Sequence, residues 1–387
     1  MGDAPLRIFE RTNHSVIYIR IPFLPPSPAN ENSNYQQRPA LWTGKDVVDF
    51  MRKAWDLDPP ELIISVTGGA RDFKMPTRLR NAFQRGLIAA AETTDAWIIT
   101  GGTNSGVMKE VGDAIDKYRY KNTKKRSEIP CIAISSWHYT TDVEDLRQIP
   151  PDPHSIEAVT STILDLTIEN TVSRVKSYNN RKPDHEIEEG CDIDPNHTHF
   201  ILLDDGYPPK GKNEGEDWRK FYPKEQANCR ADLILNMRAE IEQEAAMMPG
   251  EAIKIPIIQV LTEGGASSIL TICNALEKNT PVIVIKDSGR AADTIAALHK
   301  LLYGVETDRF LKIYEDSEKN QEIQQKFNRT LELMDNQIVN NTNRTVFGNL
   351  MKSKKGYFLI TIFQFRLGEV ENKLDDAILQ ALFNGIT

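Results

Sequence analysis

The residues best placed to do chemistry in this sequence are glycines that close short apolar runs. Thr67-Gly68-Gly69, Thr100-Gly101-Gly102-Thr103, Asp204-Asp205-Gly206, Glu263-Gly264-Gly265 and Asp287-Ser288-Gly289 each follow a stretch of aliphatic or β-branched residues. Glycine lets a backbone approach a diphosphate closely, and a helix starting just beyond the turn presents N–H groups and the positive end of its dipole. In a parallel sheet all such turns lie on one edge, where ligands bind outside the carboxyl ends of the strands. Any single Gly-Gly pair reads more simply as a tight strand-to-helix connection. Repetition along one edge is what predicts a nucleotide or phosphate ligand. None of the turns spells GxxxxGK[ST] or GxGxxG, so neither a P-loop nor an ordinary dinucleotide site is indicated.

Arg290 directly follows the Ser288-Gly289 turn. A guanidinium there can form two parallel hydrogen bonds to a phosphate. As a mere surface residue it would sit unfavourably at a helix start, where the dipole repels cations. Arg230 and Tyr222 flank the beginning of a later helix and offer a second cation and a ring for a base, or ordinary surface positions. Trp137 follows a strand and either lines the crevice or packs. His197 and His199 alternate on a strand entrance, with no third ligand spaced for a metal, which favours hydrogen bonding. No Ser-His-Asp or Cys-His arrangement marks a nucleophile.

The elements that must position these residues alternate. Glu61–Thr67, Ala96–Thr100 and Cys131–Ser135 are short buried strands, separated by helical periodicity over about 76–93 and 106–117. Further strands at His199–Leu203, Pro256–Leu261 and Pro281–Ile285 are each followed by a helix, ending near 246, 278 and 302. This βαβ repetition predicts an α/β fold with a parallel sheet flanked by helices. Ser15–Ile21 is a strand and Asp46–Trp55 a helix. The domain plan is an N-terminal strand and loop over 1–45, a Rossmann-like domain over 46–305 with an insertion at about 138–195, and a mainly helical region over 306–387. Asp152–Asn170 is partly helical, Arg181–Asp194 is an exposed charged insertion, and Phe358–Phe365 is either a strand or a buried helix.

The 387 residues are 40% hydrophobic and 26% charged, as in a globular chain, with a formal net charge of -8. That balance disfavours nucleic acid as a partner, since phosphate backbones select basic faces. The four cysteines, Cys131, Cys191, Cys229 and Cys273, show no CxxC spacing, which fits a reducing compartment, and Cys131 and Cys273 read as small buried side chains. Met1–Glu10 lacks the apolar core of a signal peptide, and no stretch nears the roughly 20 apolar residues of a membrane span.

Several segments, in order, resemble the cytosolic N-terminal homology region of melastatin-type transient receptor potential (TRPM) cation channels. They are LIISVTGGA at 62–70, AWIITGGT at 96–103, GVMK at 106–109, HTHFILLDDG at 197–206, EGG at 263–265, DSGRAAD at 287–293 and DAILQAL at 376–382. The wording is most similar to the ADP-ribose-activated melastatin-2 branch. The resemblance implies a SLOG-type Rossmann-like fold, ADP-ribose as ligand with no further cofactor, and neighbours among the other domains and subunits of a homotetrameric, Ca²⁺-permeable channel on the cytoplasmic side of a membrane. The ligand-lining positions it implies are Thr67, Gly69, Gly102, Tyr222, Arg230, Glu263, Gly264, Gly265, Ser288 and Arg290. Gly68, Gly101, Thr103, Trp137 and Gly289 complete the candidate set. The catalytic relatives of this fold, phosphoribohydrolases, carry PGGxGTxxE. This chain has EGGASSILT over 263–271, which puts Thr271 where the catalytic Glu stands. Threonine cannot serve as acid or base near neutral pH, so the resemblance implies a binding module. The alternatives are a nucleotide N-glycosidase and an assembly domain without a nucleotide ligand.

Overall fold

A computed structural model describes residues 13–22, 42–71, 73–118, 129–137, 140–141, 174–179, 191–204, 224–247, 254–304, 317–332, 341–365 and 373–386. Along the chain run β1 (Asn13–Pro22), α1 (Gly44–Ala54), β2 (Ile63–Gly68), α2 (Thr77–Thr93), β3 (Trp97–Thr100), α3 (Gly106–Tyr118), β4 (Cys131–Ser136), β5 (Arg174–Asn179) and β6 (His199–Asp204). Then follow α4 (Lys224–Ala246), β7 (Ile257–Thr262), α5 (Ala266–Glu277), β8 (Val282–Ile285), α6 (Arg290–Tyr303), α7 (Ser317–Glu332), α8 (Asn341–Lys352), α9 (Lys354–Leu359), β9 (Ile360–Phe363) and α10 (Leu374–Ile386). The strands and helices are those of a parallel α/β protein, as the alternation predicts.

These elements form two compact units drawn from interleaved segments. Met1–Pro59, Thr100–Asn104 and Pro130–Ile253 make the first, and Pro60–Ile99, Ser105–Ile129 and Lys254–Thr387 the second. In the second unit the sheet runs β3-β2-β7-β8-β9, every pair parallel. All residues of β7 and β8 are buried, the mark of strands covered on both faces. Register places Gly68 opposite Thr262 and Thr262 opposite Ile285, so β2, β7 and β8 end level with one another. The turns at 68–69, 263–265 and 286–289 therefore leave the sheet side by side. Helices α5 to α8 close one core over these strands, with Ile272, Leu276, Ile295, Leu298, Phe327, Phe347 and Met351 packed on Leu261, Val284 and Ile360. Helix α10 lies on α2. Gly86 makes room for it, because a side chain begun there would stand 2.6 Å from Leu374 Cβ.

In the first unit the order is β5-β1-β6-β4, with β5 antiparallel to β1 and the other pairs parallel. Helix α1 starts at a capping box, in which Asp46 N–H donates to Thr43 Oγ1 at 3.3 Å and Thr43 N–H donates to Asp46 Oδ2 at 2.8 Å. It then meets α4, where Gly44 N–H donates to Glu240 Oε1 at 2.9 Å.

Three readings change. Strand β5 is absent from the sequence-based plan, because RVKSYN lacks the apolar content of a buried strand; among the described residues it pairs on one side only, along β1. The segment Arg181–Asp194 is not exposed at its described end. Ile193 and Asp194 are buried, and Ile193 bridges Thr103. The Phe358–Phe365 ambiguity resolves both ways, with α9 handing over at Leu359 to β9, which adds to the sheet beside β8. Asp152–Asn170, Asp205, Gly206 and the loop Tyr207–Tyr222 lie outside the described residues.

Candidate functional site

Three of the predicted turns come together at the carboxyl edge of the second unit's sheet. Thr67 is buried at the end of β2, one step before Gly68. Gly68 O accepts from Ser268 Oγ at 3.1 Å, and Ser268 Oγ accepts from Gly265 N–H at 3.3 Å, which ties the first turn to the second. Gly69 N–H donates to Thr262 O at 3.3 Å. The second and third turns are joined by Ser288, whose Oγ accepts from Glu263 N–H at 2.8 Å and donates to Ile285 O at 2.5 Å. Glu263, Gly264, Gly289 and Arg290 all have positive φ, at 57°, 92°, 112° and 39°. For Glu and Arg this is an uncommon backbone state, held only where the surroundings over-determine it.

The glycines are needed for space as well as conformation. A side chain begun at Gly69 would stand 1.6 Å from Glu263 Oε2. The Glu263 carboxylate thus lies directly against the Gly69 backbone, with Oε2 accepting from Gly264 N–H at 3.0 Å and Oε1 3.5 Å from Arg290 Nη1.

The helix starts behind these turns are partly engaged. Val107 N–H, in the first turn of α3, donates to Gly69 O at 2.9 Å. Ala292 N–H, at the start of α6, donates to Glu263 O at 2.9 Å. Both helices therefore use N-terminal donors to clamp glycine turns rather than presenting all of them outward. Gly106 matters for the same reason. Its φ is 57°, and a Cβ there would stand 1.9 Å from Gly69 O.

The first unit holds a further glycine turn, Gly101-Gly102-Thr103, at the end of β3. Gly102 has φ 69°, and a Cβ there would stand 2.1 Å from Ala133 Cβ. Its carbonyl accepts from Asp194 N–H at 2.8 Å, and its N–H donates to Thr100 Oγ1 at 2.8 Å. Thr103 is buried and bridges Ile193. Behind the turn runs a buried polar line in which Thr100 Oγ1 meets His197 Nε2 at 2.7 Å and His197 Nδ1 meets Asp194 Oδ1 at 2.9 Å. Burial opposes a charge on His197, but Cys131 and the Asp194 carboxylate outweigh it and raise the imidazole to about 10. His199, against the Trp55 ring, is instead pushed down to about 4 by burial. Both histidines hold structure, as their spacing suggests.

Trp137 is 1% exposed and packs with Ala133, Ile193, Phe200 and Leu202, so its ring serves the core rather than a crevice. Arg230 falls in the second turn of α4; its side chain and Tyr222 lie outside the described residues. Sequence reasoning passed over Ser268, Gly106 and Asp194. Ser268 had a readable signal, since a serine three residues past Gly265 suits a helix cap. Among the described residues no cluster of His, Cys, Asp and Glu could hold a metal ion, and no helix is long and apolar enough to cross a membrane.

Parallel strands with helices on both flanks and glycine turns at the strand ends define a Rossmann-like α/β protein. A family model described as the SLOG domain in TRPM matches residues 42–161 and 165–344, and the chain belongs to this family. The chain is 34% identical over 261 residues to the transient receptor potential cation channel subfamily M member 2 of Mus musculus, covering 66% of this chain and 14% of that protein. It is 34% identical over 253 residues to the subfamily M member-like 2 of Nematostella vectensis, covering 64% and 14%. It is 30% identical over 342 residues to the human subfamily M member 6, covering 88% and 14%. The chain thus spans about one-seventh of the length of these relatives.

Proposed function

We propose that this region is a ligand-sensing module of an ADP-ribose-gated, Ca²⁺-permeable cation channel, and that it binds ADP-ribose on the carboxyl edge of its sheet. The observation that carries the reading is the level ending of β2, β7 and β8, which sets Gly69, Glu263–Gly265 and Ser288–Arg290 around one cradle. Such a cradle suits a diphosphate, with the Arg290 guanidinium for its charge and the Gly264 N–H, now held by the Glu263 carboxylate, for an oxygen. The resemblance to melastatin-type channels adds Arg230, as a second cation, and Tyr222, as a ring for the base, to the proposed ligand-binding residues. Other domains and subunits of the channel tetramer are the partners, and binding acts on gating through different affinity for its closed and open states. The module faces the cytoplasm and is a binder rather than an enzyme. Thr271, where the related hydrolases carry their catalytic Glu, has its hydroxyl turned back onto Ser267 O at 3.0 Å.

Calorimetry with ADP-ribose tests the reading. Saturable binding to the wild-type protein is the expected result, and Arg290→Ala should weaken it by about 10- to 100-fold, the weight of a charge-assisted bond to phosphate. An absence of heat at millimolar ligand rejects the sensor. Full affinity in Arg290→Ala rejects the assignment of the site, and release of base or ribose from the ligand rejects the binder-only reading.

A further inference from the structure

We propose that the Glu263 carboxylate is an internal anion that occupies the cradle and must be displaced by the ligand's diphosphate, so that Glu263 holds down the affinity of the cradle for anionic ligands. The inference rests on the cradle being the ADP-ribose site.

An acid is chemically out of place in a loop built for phosphate, yet here it is better enclosed than the guanidinium beside it. The Glu263 side chain is 10% exposed and the Arg290 side chain 40%. Its left-handed backbone turns the side chain back over its own neighbour, so that Oε2 takes the Gly264 N–H. Oε1 faces the Arg290 guanidinium. The missing side chain at Gly69 leaves the space in which the carboxylate lies. Each of these three features, an inward backbone N–H, a guanidinium and a bare glycine, is what a bound phosphate requires.

A carboxylate and a phosphate therefore compete for one set of donors. They do not share it, because two anions a few ångströms apart in a poorly solvated site repel strongly. Ligand entry becomes an exchange in which Glu263 swings away from Gly69 and Arg290 passes from the carboxylate to the diphosphate. Ser288 and Ala292 hold the Glu263 N–H and carbonyl at 2.8 and 2.9 Å, so the side chain can turn while the main chain stays. A neutral nucleoside does not compete for these donors, so its affinity is indifferent to the acid. A diphosphate presents more charge and more acceptors than the carboxylate it replaces.

The test is calorimetry of wild-type and Glu263→Gln protein with ADP-ribose and with adenosine. The carboxamide keeps an acceptor for Gly264 N–H and removes the charge. Glu263→Asn, an uncharged residue suited to positive φ, gives a second route should the first variant melt early. Either variant should bind ADP-ribose about tenfold more tightly than wild type, a shift typical of one like-charge contact removed from a partly buried site. Adenosine affinity should not change. Equal or weaker ADP-ribose binding by both variants, with wild type binding normally, overturns the inference and leaves the site intact, because Glu263 would then be an acceptor for ligand hydroxyls. No binding by any of the three proteins overturns the ADP-ribose reading itself. Binding by the variants alone supports the competing anion.

Discussion

Replacing Gly106 with Ala should be far more damaging than making the same change at Gly304, although both glycines have positive φ, at 57° and 73°. The difference is space. A Cβ at Gly304 meets nothing within 4 Å, whereas at Gly106 it stands 1.9 Å from Gly69 O, 2.8 Å from Gly69 C and 2.9 Å from Ala70 C. All three are main-chain atoms, so no rotamer change relieves the clash. The 69–70 peptide must retreat on the order of 1 Å, which costs about 1–3 kcal/mol as overpacking. The left-handed backbone adds about 1–2 kcal/mol for any residue with a Cβ. The bond from Val107 N–H to Gly69 O, 2.9 Å long, is stretched or lost, adding about 0.5–1.5 kcal/mol. Gly106→Ala should therefore lose roughly 2.5–6.5 kcal/mol, and Gly304→Ala, whose φ of 73° and ψ of -159° fall in a region nearly confined to glycine but meet no clash, only about 1–3 kcal/mol. Urea unfolding followed by far-UV circular dichroism reads both values directly. If the two variants unfold within 1 kcal/mol of each other, the close approach of α3 to the Gly69 turn does not exist as described. The Gly106 variant should also bind ADP-ribose more weakly at a temperature where it remains folded, because the displaced peptide is one wall of the cradle.

Two other perturbations follow from the same geometry. Ser288→Ala removes the acceptor of Glu263 N–H and leaves a buried donor without its partner, at a cost of about 1–3 kcal/mol in the same urea experiment; a neutral result would detach the β8 turn from the β7 turn. Stability should also peak near pH 6.5. His197, raised to about 10, stabilises fully below its unfolded value and loses that contribution as pH climbs from 6.5 toward 10. His199, and His299 of α6, which lies against the Tyr303 ring, are both lowered to about 4 by burial and favour the unfolded chain as pH falls from 6.5 toward 4. Urea midpoints at pH 5, 6.5 and 9 check the two limbs, and the alkaline limb should flatten in His197→Asn.

The parts of this fold that were legible in the sequence are those whose local pattern has one solution. β2, β7 and β8 are short β-branched runs bounded by glycine, and a strand buried on both faces is the economical reading of each. β5 resisted for the opposite reason. Its residues carry charges and amides, and its partner β1 lies far back in the chain, so only the tertiary pairing makes it a strand. At the site, the glycine turns were visible because positive φ and close approach demand that residue. Their contents were not. Nothing near Glu263 in sequence announces that its carboxylate rests on Gly69, since that contact is set by the register of β2 on β7. Trp137 shows the limit from another side. An aromatic residue just past a strand end can face solvent or core, and the packing of Ile193 and Phe200 decides it.

The pairing of β2 with β7 also imposes a schedule on synthesis. Ile63 meets Ile257 across the sheet, so β2 leaves the ribosome with β3 soon available on one side and nothing on the other until roughly 190 further residues have been made, about 10–40 s at ordinary elongation rates. Through that interval an apolar strand edge stands open, of the kind that recruits wrong partners. Mutations that slow the closing of β7 onto β2 should lower the yield of the nascent protein at 37 °C more than they lower the stability of the finished one.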